Sequence, residues 1–214
     1  MLKSNQTGRW FEVKVLFIDN LDSFTYNLVD EFEKRNCEVL VYRSNMEIKI
    51  IDAAIKKFKP NLIVVSPGPG TPKKAGISKE IIEKYHEKIP IFGVCLGHQC
   101  IIEVFEGRID KAVETIHGKP SKITHDNLGI FKGIENPFQA GRYHSLVGYD
   151  IPYCLEISAR SLKRDLIMAV RHKEFPIIGV QFHPESILTP AGGKIIENLI
   201  KLVGKKWLRK LFLN

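Results

Sequence analysis

The stretch from Ile91 to Gln99, IFGVCLGHQ, decides the fold of this chain. Its first residues form a short apolar run that predicts a buried strand, Ile91–Val94, and a helix is predicted from about His98 to Phe105. Between them lies the pattern G-x-Cys-x-G, in which two glycines relieve crowding at a sharp strand-to-helix turn. Cys95 is therefore predicted to lie at a nucleophile elbow, where the helix N-terminus favours the thiolate over the thiol.

Predicted strands and helices alternate on both sides of this elbow. Apolar and β-branched runs predict strands, and apolar residues at helical spacing predict helices. The predicted strands are 13–19, 38–42, 62–65 and 177–182, and the predicted helices are 24–32, 48–58, 78–85 and 194–203. The predicted helix caps are Asp22 or Ser23, Asn45 and Ser78.

The segment from Arg108 to Val180 has shorter periods and several glycines, which predict antiparallel strands added to a parallel core. The predicted fold class is three-layer α/β, with a mostly parallel central sheet, helices on both faces and this added antiparallel segment. A length of 214 residues is within the range of one domain. We therefore expect an N-terminal extension (1–13), one enzymatic domain (14–203) and a basic C-terminal tail (204–214).

The composition is typical of a globular protein, with 44% hydrophobic residues. The four cysteines have no C-x-x-C spacing, so reduced thiols are expected. The first residues lack an apolar signal segment, and no apolar run approaches the ~18 residues of a membrane span. These features predict a cytoplasmic protein without a membrane partner. The seven histidines lack metal-ligand spacing, so no metal site is expected.

The net charge of +8 and the pI of about 9.3 require nucleic-acid binding to be considered. The basic residues are mostly interspersed with acidic ones, and only the segment 201–210 concentrates them. No aromatic-basic module or recognition helix is present in the sequence. A solvated, lysine-rich surface is therefore the favoured interpretation, and no nucleic-acid partner is expected.

A second motif, QFHPES, occupies 181–186 and follows an apolar strand. His183 and Glu185 are two residues apart, so the carboxylate could accept a hydrogen bond from one imidazole nitrogen and turn the other toward a nucleophile. Together with Cys95, this pair fits a Cys-His-Glu arrangement. Taken alone, the motif fits a surface histidine and glutamate at a strand end equally well.

A third motif, SPGPGTP, occupies 66–72 and follows the predicted strand 62–65. Proline restricts φ and glycine permits unusual values, so this loop is expected to be rigid and specially shaped. It lacks the spacing of a phosphate-binding loop. Its exposed backbone N–H groups could instead stabilise an oxyanion beside the elbow. The three motifs all follow predicted strands, and open α/β sheets place their sites at the carboxyl ends of strands.

These motifs make the chain resemble the class I glutamine amidotransferases. The resemblance extends over about 14–203 and is greatest to the small subunits of anthranilate synthase and aminodeoxychorismate synthase. The segments that carry it are 18–28 (IDNLDSFTYNL), 66–72, 93–99 (GVCLGHQ), 142–146 (RYHSL) and 179–186 (GVQFHPES).

The resemblance implies roles for individual residues. Cys95 would attack the side-chain amide of L-glutamine, His183 would act as base and then acid, and Glu185 would orient His183. The backbones of Gly70 and Leu96 would form the oxyanion hole. The residues implied to hold glutamine, in addition, are Gly68, Pro69, Gln99, Ser145 and Leu146.

The resemblance also implies a partner. Ammonia would pass to a chorismate-binding synthase large subunit, which makes anthranilate for tryptophan biosynthesis or, alternatively, aminodeoxychorismate for folate synthesis; some small subunits serve both. This chain would need no cofactor, and Mg²⁺ would belong to the large subunit. A cysteine peptidase or amidase that uses the same elbow is a competing hypothesis.

Overall fold

The computed structural model describes residues 13–204, so the predicted N-terminal extension up to residue 12 and the basic tail from residue 205 lie outside the described residues. The strands are Lys14–Asp19 (β1), Glu38–Arg43 (β2), Leu62–Val65 (β3), Ile91–Val94 (β4), Arg108–His125 (β5), Phe138–Tyr149 (β6), Leu155–Ser161 (β7), Ile167–His172 (β8) and Ile177–Val180 (β9). The α-helices are Thr25–Glu33 (α1), Ile48–Phe58 (α2), Ser78–Tyr85 (α3), Leu96–Val104 (α4) and Gly192–Gly204 (α5).

Within the described residues, the strands form one nine-stranded sheet in the order β2-β1-β3-β4-β9-β8-β7-β5-β6. The first five of these strands pair in parallel, and all remaining pairs are antiparallel. This mixed sheet confirms the predicted fold class. It places the carboxyl ends of β1, β3, β4 and β9 at one edge of the sheet.

Strand β9 is the seam between the two parts of the sheet, which the sequence did not reveal. It pairs in parallel with β4 and antiparallel with β8. It also ends at Val180 rather than at residue 182, as predicted. A short apolar run looks alike in either kind of pairing, so only the packed sheet distinguishes them.

The alternation of side chains along β1 divides the core into two layers. Val15 and Phe17 face the layer that contains α1 and α5. Leu16 and Ile18 face the layer that contains α2, α3 and α4. Because helices cover both faces, the strand is apolar at almost every position, as expected for a buried parallel strand.

The predicted helix caps are wrong in each case, although the helices exist. No side chain caps α1, α2 or α3. The Ser78 hydroxyl donates instead to Asn20 Oδ1 at 2.7 Å, because a buried partner is available across the fold. Asp22 Oδ1 accepts the Phe24 N–H at 2.7 Å, one residue before α1 begins. Among residues 13–204, no helix has the length and apolar character needed to cross a membrane.

Candidate active site

Cys95 lies at the turn between β4 and α4 in a backbone conformation that L-residues rarely adopt. Its φ is 51° and its ψ is −97°, and it stands at the N-cap of the helix. Its own N–H donates to Val180 O at 2.8 Å, which ties the turn to β9. The first N–H groups of a helix have no intrahelical partner. The Leu96 N–H therefore lies beside the sulfur as a candidate oxyanion donor, whereas the Cys95 N–H is already used.

The two glycines of the elbow leave no room for a side chain. A Cβ at Gly93 would lie 2.6 Å from backbone atoms of Gly97, and a Cβ at Gly97 would lie 2.2 Å from Val65 O. Backbone atoms cannot move aside as the end of a flexible side chain can. The crowding inferred from the sequence is therefore present on both sides of the nucleophile, and it brings β3 close to α4.

We expect Gly97→Ala to destabilise the fold by about 1–3 kcal/mol or more, because the added methyl group would overlap the Val65 carbonyl. Chemical denaturation measures this loss of unfolding free energy. Gly204→Ala is the matched control, since a Cβ there meets nothing within 4 Å. Equal stability of the two variants would contradict a tightly packed elbow.

His183 and Glu185 are buried together just beyond β9. His183 Nδ1 lies 2.6 Å from Glu185 Oε1, and both side chains are almost fully shielded from solvent. His183 Nε2 is buried and has no hydrogen-bond partner within the described part of the chain. Burial alone would lower the pKa of His183, but the neighbouring Cys95 sulfur and the Glu185 carboxylate raise it well above the ordinary value. The imidazole is therefore held in a protonated form beside the sulfur.

The backbone and ring of His183 are fixed from three sides. The Thr189 hydroxyl donates to His183 O at 2.6 Å and accepts the Gly141 N–H at 2.9 Å, which joins this loop to β6. The Tyr143 ring lies 4.9 Å from the imidazole, edge to face, and the Phe24 ring lies at 5.9 Å. These aromatic rings restrict the orientation of the imidazole.

The Pro-Gly loop after β3 is held against the elbow by a buried polar network. Asn20 donates its N–H to Ser66 Oγ at 2.8 Å and its side-chain amide to Ser66 O at 3.0 Å. A Cβ at Gly68 would lie within 2.8 Å of both Asn20 and Leu96. Gly70 is exposed with a φ of +87°, a value that favours glycine. Pro69 is exposed as well. The loop and the elbow are thus in direct contact.

The three residues implied to hold glutamine in the middle of the chain are arranged unequally. Gln99 is buried on α4 and donates through Nε2 to Leu146 O at 3.3 Å and to Gln181 Oε1 at 3.2 Å. Both of its N–H groups are used, so its Oε1 is the atom left to contact a ligand. Leu146 is half-buried, and Ser145 is exposed on β6. These residues and the Pro-Gly loop all lie toward Cys95.

Sequence reasoning assigned no role to Gln181, and treated Phe24 first as a core residue. Gln181 is fully buried, and its Nε2 lies 3.6 Å from Cys95 Sγ. The proximity of Gln181 to the QFHPES histidine in the sequence could have suggested it. The position of Phe24 over His183 could not be predicted, because 159 residues separate them and only the packing of α1 brings them together.

The other buried thiols are poor nucleophiles. Burial raises the pKa of Cys37 to about 11 and that of Cys100 to about 12. Cys100 lies one turn beyond the elbow and packs into the apolar layer that includes α4. The site therefore has one sulfur next to a protonated imidazole, a buried carboxylate and backbone N–H donors, which are the components of acyl transfer.

The comparisons with known proteins agree with this chemistry. The family model described as Glutamine amidotransferase class-I matches residues 16–202. Anthranilate synthase component 2 of Methanocaldococcus jannaschii is 50% identical over 196 residues, which are 88% of this chain and 96% of that protein. Aminodeoxychorismate/anthranilate synthase component 2 of Bacillus subtilis is 47% identical over 194 residues, 90% of this chain and 98% of that protein.

A solved structure supports the fold alone. The crystal structure of a Thermoplasma acidophilum protein, described as one of the subunits of GMP synthase, superposes with a TM-score of 0.81. The superposition covers 92% of this chain and 97% of that one, at 21% sequence identity.

Proposed function

This chain belongs to the class-I glutamine amidotransferases, and from that premise we propose that it hydrolyses L-glutamine and delivers ammonia to a chorismate-using synthase subunit. The observation that carries the proposal is the buried Cys95–His183–Glu185 arrangement, in which His183 Nδ1 is 2.6 Å from Glu185 Oε1. The proposed large subunit makes anthranilate. The alternative is an aminodeoxychorismate synthase, or service to both.

In the proposed first step, the Cys95 thiolate attacks the side-chain amide carbon of glutamine. The carbonyl π bond breaks and its electron pair becomes an oxyanion. We propose that the Leu96 and Gly70 N–H groups stabilise this oxyanion, because one lies at the free N-terminus of α4 and the other in the adjoining rigid loop. Collapse of the intermediate breaks the C–N bond, and the imidazolium of His183 protonates the departing nitrogen. Ammonia and a γ-glutamyl thioester result.

In the proposed second step, the now neutral His183 accepts a proton from water. The resulting hydroxide attacks the thioester carbon, and the C–S bond breaks to release glutamate and regenerate the thiolate. Glu185 keeps the imidazole in the orientation and tautomer that both steps require. The raised pKa of His183 suits the first step, in which an acid is needed.

We assign glutamine binding to the residues around the sulfur mouth. Gln99 Oε1 would accept a hydrogen bond from glutamine, since both Gln99 N–H groups are already used. The exposed Ser145 and the neighbouring Leu146 on β6 would contact its polar end. Gly68 and Pro69 would line the opposite side. This subunit needs no cofactor in the proposal, Mg²⁺ belongs to the large subunit, and both act in the cytoplasm, where the thiol stays reduced.

The test measures glutamate release by the full chain alone and with purified large subunits of each kind. We expect weak hydrolysis alone and a marked increase with the correct partner, because such sites are commonly completed by closure on a partner. Formation of anthranilate or aminodeoxychorismate from glutamine then identifies the branch. A glutamine-mimicking electrophile should label Cys95. Failure to label it, with turnover of unrelated amides or peptides, would favour the cysteine amidase hypothesis instead.

A further inference from the structure

Gln181 is a fully buried residue that contacts the reactive sulfur directly. Its Nε2 donates to Cys95 Sγ at 3.6 Å, and its backbone N–H donates to Met168 O at 2.8 Å, which anchors the residue to β8. We propose that Gln181 is a further catalytic residue, whose amide N–H stabilises negative charge on the Cys95 sulfur. The proposal deepens the proposed function, on which it rests, because it concerns the same thiolate.

The neighbours of Gln181 determine which end of its amide faces the sulfur. An amide side chain can present either an acceptor oxygen or a donor NH₂ group. A backbone carbonyl can only accept, so Leu146 O requires the NH₂ group of Gln99, at 3.3 Å. The same NH₂ group donates to the amide oxygen of Gln181 at 3.2 Å. The oxygen of Gln181 is thereby turned away from Cys95, and its NH₂ group is left to donate to the sulfur.

A second buried contact fixes the same carbonyl from the other side. Arg142 Nε can only donate, and it lies 3.0 Å from His144 Nε2. His144 Nδ1 must then carry the proton, and it donates to Leu146 O at 2.9 Å. Burial and the charge of Arg142 lower the pKa of His144 to about 3, so the ring stays neutral. Leu146 O thus receives donors from both His144 and Gln99, which makes these two residues positioning residues for Gln181.

The direction of this network matters because hydrogen bonds to an ionised acceptor are stronger than those to a neutral one. A thiolate gains more from the Gln181 N–H than a thiol does. The imidazolium of His183 supplies charge, and the Gln181 amide supplies a fixed dipole. Loss of one hydrogen bond to a charged group is expected to reduce the population or reactivity of the thiolate by about 10- to 100-fold.

The experiment measures the rate at which iodoacetamide alkylates Cys95 in the full chain as a function of pH, read by mass spectrometry of the Cys95 peptide. We expect Gln181→Leu to slow alkylation at neutral pH by about 10- to 100-fold. We expect Gln181→Glu, which keeps an acceptor for Gln99 but places a carboxylate oxygen toward the sulfur, to move the midpoint to higher pH. Cys37 and Cys100, with their raised pKa values, compete little with Cys95.

Turnover provides a second readout that a purely structural role would not produce. Because Gln181 contacts the sulfur, its substitution should lower kcat for glutamine and leave KM nearly unchanged. Gln139→Leu is the matched control, since that half-buried amide donates only to Leu188 O at 3.3 Å. It should retain the wild-type alkylation profile. Thermal unfolding establishes that each variant is folded.

A folded Gln181→Glu variant with the wild-type pH profile of alkylation would overturn the proposal, and so would a folded Gln181→Leu variant with the wild-type rate. If Gln181→Leu does not fold, the nearly isosteric Gln181→Glu variant decides. The alkylation assay requires neither glutamine nor a partner. Failure of the proposed function would therefore appear as absent glutamine hydrolysis with a shifted alkylation profile, which is a different result from failure of this inference.

Discussion

Replacing Cys95 with alanine is expected to reduce kcat for glutamine hydrolysis by on the order of 10⁶-fold, as loss of the nucleophile does in enzymes that form covalent intermediates. The thioester cannot form without the sulfur, and His183 then has no leaving group to protonate. The fold should persist, because the bond that ties the elbow to β9 uses the Cys95 backbone N–H and not the side chain. The measurement is glutamate release in the presence of the large subunit.

The control for this variant is Cys154→Ala, which removes a half-buried thiol far along the chain from the elbow. It should retain full activity. Cys95→Ser adds a second comparison, because the hydroxyl keeps nearly the same shape but is a much weaker nucleophile at neutral pH. Undiminished turnover in either Cys95 variant would contradict the proposed thioester mechanism.

Glu185→Gln is expected to lower kcat by about 10⁴-fold, comparable to neutralising the acidic member of a triad elsewhere. The amide has nearly the shape of the carboxylate but no charge. The Glu185 carboxylate is one of the groups that raise the pKa of His183, so its loss lowers that pKa. The pKa of wild-type His183 is raised, so the imidazolium persists until the pH rises through that value. In Glu185→Gln the imidazolium is lost at a lower pH.

The predicted signature is therefore a shift of the alkaline limb of the kcat/KM profile toward lower pH, measured as glutamate release over a pH series. Glu103→Gln is the matched control, since this partly buried carboxylate on α4 pairs with Lys79 at 3.2 Å. That variant should retain the wild-type alkaline limb. An unchanged limb in Glu185→Gln would show that Glu185 does not set the protonation of His183.

The family match places the chain among subunits that work with a synthase, and this has a consequence for the site. Gly70, Pro69 and Ser145 are exposed beside the sulfur. A site with its loop and mouth open to solvent gains from a partner that covers them, because excluded water strengthens the electrostatic contacts. The proposed increase of glutaminase activity with the large subunit follows from this exposure.

The sequence by itself determined the frame of this protein. The limits of β3 and β4 are those read from apolar runs, and the helix 48–58 begins and ends where its apolar spacing predicts. The elbow could be read because its two glycines respond to crowding within a few residues. His183 and Glu185 could be paired because they are neighbours in the chain. All of these are local features, which short stretches of sequence encode directly.

Only the tertiary structure decided which polar groups meet. The bonds from Gln99 to Leu146 and to Gln181, and from Gln181 to Cys95, join residues 47, 82 and 86 positions apart. Ser78, predicted to cap a helix, instead binds Asn20 at a separation of 58. A hydroxyl or amide can serve a cap, a core partner or a substrate, and the sequence cannot rank these uses. The packed sheet does, because a buried polar group must take whichever partner the fold brings within reach.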